Sequence, residues 1–431
     1  MSVPPPVGVD LDVGDELELD IGPVAHGGVC VARADGRVVF VRYALPGERA
    51  VVRVTEARPG SFCRGEAIRV VRADPRRVVP PCAHFGPGGC GGCDFQHARA
   101  DLQRELKAAV VREQLRRLAG IDMPVIVESL PGDGFGWRSR VRWAVGRSVP
   151  GTGISEYDAV LGPRRYRSHE VVPISAARPC LIAAPGLTEA ADALDLPPSA
   201  DEVVLTRRAG ADPAVAYLSG GRRVAGSSVD RADSDYGATI LTERAYDRSF
   251  SVADTGFWQA HESAATVLCG AVDDALAHVD LWGGAAWDLY GGVGLFAAML
   301  ADLVGPEGSV LSVESDRAAS DLAATNLADL PQARTVSTRV DRFLRSAADE
   351  APGRVGAVVL DPPRSGAGEA VCRGIARRWP TVIVYVACDP AALARDAATL
   401  AGVGYRLAAL RAFDAFPQTH HVECVASFTA V

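Results

Sequence analysis

Apolar and polar residues partly alternate over residues 12–73, in five short runs separated by turn-forming pairs such as Pro46-Gly47. Alternation with a period of two is typical of strands that bury one face. The runs predict strands at Glu16–Ile21, Gly28–Arg33, Val38–Tyr43, Ala50–Glu56 and Ala67–Arg72. Five short strands in about 60 residues favour a small barrel of the OB type, a common platform for nucleic acids.

Helical spacing replaces this alternation after a stretch rich in proline and cysteine, Pro80–Cys93. Apolar residues then recur every three or four positions from Asp94 to Leu118, which predicts one helix. Residues 134–250 show mixed short strands and no single clear fold.

Strands alternate with helices from about residue 255 onward. The predicted strands are Ala285–Tyr290, Ser309–Glu314, Arg334–Arg339, Ala357–Asp361, Val382–Ala387, Tyr405–Phe413 and Glu423–Thr429. The first five alternate with helices, which indicates an α/β fold with a parallel sheet covered on both faces.

Composition places the 431 residues among globular proteins, with 48% hydrophobic and 23% charged residues. No apolar run reaches the ~18 residues of a membrane helix. The start of the chain lacks the positive and apolar regions of a secretory signal, so we expect a cytoplasmic protein.

Charge is unevenly distributed along the chain. The net charge is −8, yet residues 51–150 carry 17 basic against 10 acidic residues, a net of +7. Such a basic block in an acidic protein indicates a localised anion-binding surface, with an ordinary solvated face as the alternative. Three of the ten cysteines are crowded into Cys82, Cys90 and Cys93, which indicates metal or redox chemistry.

A glycine loop closes the first predicted strand of the sheet, where residues 288–294 read Asp-Leu-Tyr-Gly-Gly-Val-Gly. Ligands bind at the carboxyl ends of parallel strands, and glycines let the backbone approach them. Glu314 ends the second strand, where a carboxylate can accept both ribose hydroxyls of an adenosine. The pattern fits S-adenosylmethionine as well as NAD, and a tight turn with a solvated Glu314 is the alternative.

Two reactive side chains accompany later strands. Cys388 follows the fifth strand and precedes a helix, whose dipole favours a thiolate. Glu423 enters an apolar strand, where burial would raise its pKa toward that of a useful base. The pair His420-His421 has no matching third and fourth ligand, so zinc is not predicted there.

A thiolate and a base beside a methyl donor suit alkylation of uracil. Carbon 5 of uracil is a poor nucleophile until a thiolate adds to carbon 6 and makes it enolate-like. Cys388 would be that nucleophile, and Glu423 would remove the carbon 5 proton before the thiolate leaves. The base must be flipped out of its stack for the thiolate to reach it.

These residues resemble the uracil-5-methyltransferase family of tRNA and ribosomal RNA over nearly the whole chain. Residues 27–48 resemble its TRAM domain. Residues 257–261 resemble its Phe-x-Gln-x-Asn motif, with His261 in place of the Asn. Residues 387–390 resemble the nucleophile loop, with Asp389 in place of Asn, and residues 416–423 match the base motif.

The resemblance implies three parts, namely a TRAM barrel (1–73), a small central α+β iron–sulfur domain (74–250) and a class I (Rossmann-like) methyltransferase domain (251–431). It implies Cys388 as nucleophile and Glu423 as base. It also implies S-adenosylmethionine binding by residues at the donor edge of the sheet: Gln259, Tyr290, Gly292, Gly294, Leu295, Glu314, Asp341 and Asp361.

Iron–sulfur members of the family have three cysteines before a Gln-His pair and a distant fourth. The matching residues here are Cys82, Cys90, Cys93 and Cys180. The resemblance implies a 4Fe–4S cluster with a structural or RNA-organising role, although four thiolates also suit tetrahedral zinc.

An arginine-rich segment, residues 136–143, resembles the family's Tyr-Arg-Asn-Lys segment. Alternating arginines beside tryptophans suit phosphate contact and base stacking, and an exposed strand with cross-strand pairs is the alternative. The predicted RNA-binding residues are Trp137, Arg138, Arg140, Arg142 and, in the loop after Asp361, Arg364.

The sequence thus favours a monomeric enzyme that transfers methyl groups to uridine in rRNA or tRNA. A second hypothesis is an iron–sulfur RNA-binding or chaperone protein with a vestigial methyltransferase domain. A third is a NAD enzyme that uses the glycine loop.

Overall fold

The computed structural model describes residues 11–57, 62–147, 159–224, 239–346 and 355–431. Five strands form a closed barrel at the N-terminus, as the alternation predicts. They are β1 (Glu16–Val24), β2 (Cys30–Ala34), β3 (Arg37–Arg42), β4 (Arg49–Ala57) and β5 (Cys63–Arg72). Their order around the barrel is β1-β2-β3-β5-β4, so β3 and β5 pair in parallel.

A long helix, α1 (Ala100–Gln114), continues into a π-helical turn at Leu115–Ala119. The helix begins at Ala100 and not at the predicted Asp94, because the backbone N–H groups of Asp94 and Phe95 donate to the Gln418 carbonyl instead. One face of α1 packs in the barrel core, and the other packs against the eight-stranded sheet formed mainly by residues 285–430. The short strand β6 (Val127–Ser129) follows.

The central region contains a five-stranded sheet of order β11-β10-β9-β7-β8. Its strands are β7 (Arg140–Arg147), β8 (Ala159–Gly162), β9 (Glu202–Arg208), β10 (Ala211–Ser219) and β11 (Arg222–Arg223), with helix α2 (Leu187–Asp192) packed on them. A hairpin of β12 (Ile240–Ala245) and β13 (Arg248–Ala253) follows. It contributes Phe250 and Val252 to the core of the catalytic unit.

The catalytic sheet has eight strands in the order β16-β15-β14-β17-β18-β20-β19-β6. The strands are β14 (Ala285–Leu289), β15 (Ser309–Glu314), β16 (Ala333–Ser337), β17 (Val355–Leu360), β18 (Val382–Ala387), β19 (Tyr405–Asp414) and β20 (Glu423–Ala430). The first five are parallel, as predicted, and β20 runs antiparallel to β18.

Helices cover both faces of this sheet. They are α3 (Ala264–Leu276), α4 (Leu295–Val304), α5 (Arg317–Asn326), α6 (Val340–Ser346), α7 (Glu369–Ala376) and α8 (Pro390–Ala401). Two separate apolar cores lie on the two faces, which explains why β18 is buried along its whole length. Within the described ranges, no helix combines the length and apolarity that crossing a membrane requires.

Candidate active site

The carboxyl edge of the catalytic sheet gathers most of the predicted site residues. Parallel strands end at the same edge of a sheet. Tyr290 directly follows β14, and Glu314 is the last residue of β15. Asp361 directly follows β17, and Cys388 directly follows β18. Strand β20 runs the opposite way, and Glu423 is its first residue, so it enters at this same edge.

The glycine loop after β14 is tightly built. Gly292 and Gly294 have positive φ of 54° and 91°, and a Cβ on Gly291 would lie only 2.1 Å from the Ser312 Oγ. The Gly292 N–H donates to the Glu314 carboxylate at 3.1 Å. Nothing lies within 4 Å of a Cβ built on Gly292. The backbone of this loop therefore forms an open cradle for a ligand beside Glu314, the residue predicted to bind a ribose.

Asp288 lies beneath this loop and is fully buried. It accepts hydrogen bonds from the Ala297 N–H at 3.1 Å and the Ser312 hydroxyl at 3.3 Å, and burial raises its pKa to about 7. Its Oδ1 has no partner among the described residues. The open cradle above a buried carboxylate with an unpaired oxygen fits a polar ligand such as the predicted S-adenosylmethionine.

Three other residues that are predicted to bind S-adenosylmethionine are less accessible to a ligand. The Leu295 side chain is part of the core on one face of the sheet, which leaves its backbone as the only part free for a ligand. Gln259 is buried. Asp341 opens α6 and is paired with Arg339 at 2.9 Å and Arg345 at 3.1 Å.

Cys388 and Glu423 face each other across two neighbouring strands. Ala387 pairs with Cys424 in the antiparallel ladder of β18 and β20. Extending that register by one residue places Cys388 opposite Glu423, and opposed residues share one face of a sheet. The two side chains are thus brought together by strand pairing, although 35 residues of chain separate them.

The resting Cys388 is a thiol, contrary to the thiolate that its helix position predicts. Its pKa is raised to about 12, first by burial and then by the carboxyls of Glu423 and Asp361, while Arg364 opposes the rise. The N-terminus of α8 cannot offset this, because Pro390 lacks an N–H and the Asp389 carboxylate already caps the Ala392 N–H at 2.7 Å.

Glu423 has the raised pKa that burial in an apolar strand predicts. It is 4% exposed, and desolvation followed by the charge of Asp361 raises its pKa well above the usual value, with Arg364 opposing the shift. Asp361 itself has a pKa raised to about 7 by desolvation and by Asp288. Two carboxyls and a thiol therefore shift one another's pKa values beside one arginine.

A cavity of about 200 Å³ opens onto Cys388. Its wall includes Arg364, His420 and His421, and burial lowers the pKa of His421 to about 3, so that imidazole is neutral. The predicted residue Arg364 is exposed at this cavity, where it can meet an anionic ligand.

Sequence reasoning missed the buried polar residues that hold the base motif in place. Lys107 of α1 donates to the Asp414 carboxylate at 2.5 Å and to the Phe416 carbonyl at 3.0 Å. Asp94 accepts from the His420 backbone N–H at 3.0 Å. Lys107 is the only lysine in the chain, a signal that could have singled it out.

Four cysteines line a second cavity, of about 90 Å³: Cys82, Cys90, Cys93 and Cys180. The pKa of Cys90 is raised to about 11, mainly by burial and also by the neighbouring thiols Cys180 and Cys82. Across the part of the chain that the structure describes, no three His, Cys, Asp or Glu side chains are grouped so that they could hold a metal ion. The four sulfur donors thus share one cavity but are not gathered around a single point.

The predicted RNA segment is mostly turned inward. Trp137 is 4% exposed and stacks on His261, so no base can stack on it in this arrangement. Arg138 donates to the Arg140 carbonyl, and Arg140 donates to the Gly256 carbonyl and lies beside Glu243. Trp137 is buried and Arg138 and Arg140 are half-buried, while the Trp137 Nε1 and the Arg140 Nε and Nη2 have no hydrogen-bond partner among the described residues. RNA contact by these three residues therefore stays a prediction.

Arg142 differs from its neighbours in this segment. Its side chain is 53% exposed and paired with Glu202. It is the one member of the predicted segment, all of which the structure describes, that faces solvent.

The amino-acid sequence matches two known protein families and several related proteins. The profile of the TRAM domain matches residues 10–68, and that of tRNA (Uracil-5-)-methyltransferase matches residues 262–430. An uncharacterized RNA methyltransferase of Streptomyces avermitilis is 42% identical, over 96% of this chain and 98% of the relative. The 23S rRNA (uracil(1939)-C(5))-methyltransferase RlmD of Pseudomonas putida is 32% identical, over 97% of this chain and 94% of the relative.

A solved structure has the same fold. The tRNA (uracil-54, C5)-methyltransferase of Pyrococcus abyssi, in complex with S-adenosyl-L-homocysteine, aligns with a TM-score of 0.67 at 23% identity, over 96% of this chain and 100% of that chain. The barrel, the sheet edge and the full-length relatives together establish that this chain belongs to the TRAM-containing RNA uracil-5-methyltransferase family.

Proposed function

We propose that this protein transfers a methyl group from S-adenosylmethionine to carbon 5 of a uridine in RNA, with Cys388 as nucleophile and Glu423 as base. The observation that carries the proposal is that Cys388 and Glu423 lie next to the paired residues Ala387 and Cys424 of β18 and β20, close enough for the Glu423 carboxyl to raise the pKa of Cys388. The RNA is ribosomal or transfer RNA, the two substrates named for relatives of this chain.

S-adenosylmethionine, held at the cradle of Gly291–Gly294 and Glu314, would supply an electrophilic methyl group. Cys388 must first lose its proton, since its pKa is raised to about 12. The ionised Asp361 carboxylate accepts this proton, which leaves Glu423 ionised for the later step, and Arg364 stabilises the thiolate. The thiolate then adds to carbon 6 of a flipped uracil, which makes carbon 5 electron-rich.

Glu423 then completes the cycle. After methylation, carbon 5 still carries its original proton, and the ionised Glu423 carboxylate removes it. The electron pair of that C–H bond forms the 5,6 double bond, and the Cys388 thiolate leaves carbon 6. A raised pKa suits Glu423 to this step, because a stronger base takes a carbon-bound proton more easily.

Incubation with methyl-labelled S-adenosylmethionine and RNA from a strain that lacks the gene tests the proposal. Label should appear as 5-methyluridine, and Glu423→Gln should accumulate a covalent protein–RNA adduct because the carbon 5 proton cannot leave. Cys388→Ala is the matched control and should form no adduct. Absence of methyl transfer to either RNA would favour the RNA-binding hypothesis.

We further propose that Cys82, Cys90, Cys93 and Cys180 hold a 4Fe–4S cluster with a structural role. Zinc needs four sulfurs at ~2.3 Å from one point, whereas each cysteine of a cluster binds a different iron and the sulfurs lie farther apart. The four thiols line one cavity, which supplies the four sulfur donors that a cluster requires. Iron, sulfide and zinc analysis of protein purified without oxygen separates the two.

A further inference from the structure

The turn between β1 and β2 of the barrel reaches the catalytic cavity. His26, Gly27 and Gly28 line the same cavity as Cys388 and His420. The barrel therefore supplies part of the wall around the proposed nucleophile, although more than 300 residues of chain separate the two.

The first link from the barrel ends on the nucleophile's loop. His26 Nε2 lies 2.9 Å from an oxygen of the Asp389 carboxylate. Asp389 directly follows Cys388, and its other oxygen accepts from the Ala392 N–H at 2.7 Å to cap α8. A single carboxylate thus joins the barrel, the residue after the thiol and the start of the helix.

The second link ends on the base motif. Arg42 of β3 is 4% exposed and donates to the Asp94 carboxylate at 3.0 Å. The other oxygen of Asp94 lies 2.6 Å from His420 Nδ1 and accepts from the His420 backbone N–H at 3.0 Å. His420 lies three residues before Glu423.

Direct packing reinforces this second link. A Cβ on Gly28 would lie 2.6 Å from the Cβ of His420 and 3.3 Å from that of Asp94. The barrel turn and the base motif therefore touch with no room for another side chain.

We propose that the barrel completes the active site, with His26 positioning the Cys388 loop and Arg42, through Asp94, positioning the loop that leads to Glu423. The Arg42 side chain is buried and the His26 side chain is 42% exposed, and each is paired with a carboxylate of another part of the chain. Because one closed barrel carries both links, it fixes the separation of the two loops that flank the cavity. The inference rests on the proposed function for the roles of Cys388 and Glu423.

The test compares His26→Ala with Arg49→Ala. Arg49 lies on the same barrel in an exposed pair with Glu18, which matches the type of interaction removed. The first measurement is the rate at which iodoacetamide alkylates Cys388, followed by mass spectrometry of its peptide. The second is kcat and KM for methyl transfer, together with the affinity for RNA without the methyl donor.

We expect His26→Ala to lower kcat by about tenfold, because small misplacements of reacting groups are costly, and to change the alkylation rate by about threefold or more. RNA affinity should stay within about twofold of the wild type. Arg49→Ala should change none of these. His26→Gln keeps a donor for Asp389 and should recover most of kcat.

Weaker RNA binding with unchanged kcat and unchanged alkylation would overturn the proposal and leave the barrel as an RNA-binding module. Alkylation needs neither RNA nor methyl donor, so it separates this inference from the proposed function. If His26→Ala changes alkylation while the wild type methylates no RNA, the positioning role stands and the proposed reaction falls.

A double-mutant cycle tests the first link itself. Asp389→Asn keeps a good cap for α8 while it removes the charge that His26 faces. If the two residues act through one contact, the change in alkylation rate in the double variant should be smaller than the product of the two single changes. Independent, multiplicative effects would refute the His26–Asp389 link as the cause.

Discussion

The catalytic cavity and the cysteine cavity both gather residues from distant parts of the chain, but in different ways. Around Cys388, the reactive groups lie at or next to strand ends, and the Ala387–Cys424 pair of β18 and β20 brings Cys388 and Glu423 to the same edge. Around Cys90, all four thiols lie on loops, and they share a cavity without forming a metal-holding group.

The difference reflects what holds each set in place. Strand pairing aligns side chains through backbone hydrogen bonds that form whether or not a ligand is bound. Loop cysteines have no such ladder, and metal binding commonly supplies the free energy that orders them. The catalytic cavity is therefore preorganised, whereas we expect the cysteine cavity to take its final geometry from the cluster that we propose.

The largest expected effect is that of Cys388→Ala. Loss of the proposed nucleophile should lower methyl transfer by at least about 10³-fold, because in the proposed mechanism the thiol acts with the base as a unit. Cys63→Ala, which replaces a fully buried thiol of the barrel, should leave the rate unchanged. Single-turnover transfer of labelled methyl to RNA measures both rates. Normal turnover without Cys388 would contradict its role as the nucleophile of the preorganised catalytic cavity.

Replacing a cysteine of the other cavity should have a smaller effect on catalysis. We expect Cys90→Ala and Cys180→Ala to lose most bound iron yet to lower methyl transfer by less than about tenfold, since neither touches the reacting groups. Iron per chain from elemental analysis, measured alongside the rate, checks this. Full iron content in both variants would show that these thiols are not ligands.

Tyr385→Phe should show how the catalytic edge is held. The Tyr385 hydroxyl donates to the buried Asp396 carboxylate at 2.7 Å, and Asp396 also accepts from the Ala367 N–H at 2.8 Å. These bonds fasten the loop that carries Arg364 to α8. We expect the free energy of unfolding to fall by about 1.5–3 kcal/mol and kcat to fall a few-fold.

Tyr405→Phe is the matched control for Tyr385→Phe. Its hydroxyl donates to the Pro380 carbonyl at 2.8 Å, at the opposite edge of the same sheet. Urea unfolding should show that it too is destabilised, whereas kcat should not change. An equal loss of kcat in both variants would contradict a positioning role for the Asp396 bonds.

The smallest expected effect is on pH dependence. The hydrogen bond and charge of Asp389 raise the pKa of His26, while desolvation and Arg395 oppose the rise. The charged link is complete below the ordinary histidine pKa of about 6.5 and is lost as pH rises through the raised value.

Single-turnover rates, measured from below pH ~6.5 up through the raised pKa of His26, show the effect of the His26–Asp389 pair on catalysis. The ratio of the wild-type rate to that of His26→Gln should fall by about twofold toward one as His26 loses its proton. A ratio that does not change with pH would show that the charge of His26 contributes nothing to catalysis.

The sequence by itself determined the barrel, the parallel sheet and the edge where its chemistry lies. Predicted strands such as Val382–Ala387 match the structure at both ends, because apolar periodicity is a local property of the chain. Cys388 and Glu423 could be singled out for the same reason, since each lies at the end of a recognisable strand.

Only the tertiary structure decided which polar groups are engaged. The inward-turned Trp137, the later start of α1 and the His26–Asp389 pair all depend on partners that are distant in the sequence. Hydrogen bonds and burial between remote segments leave no periodic pattern, so an arginine that binds RNA and one that caps a neighbouring carbonyl look alike in the sequence. Their roles separate only when the folded chain shows which donors already have acceptors.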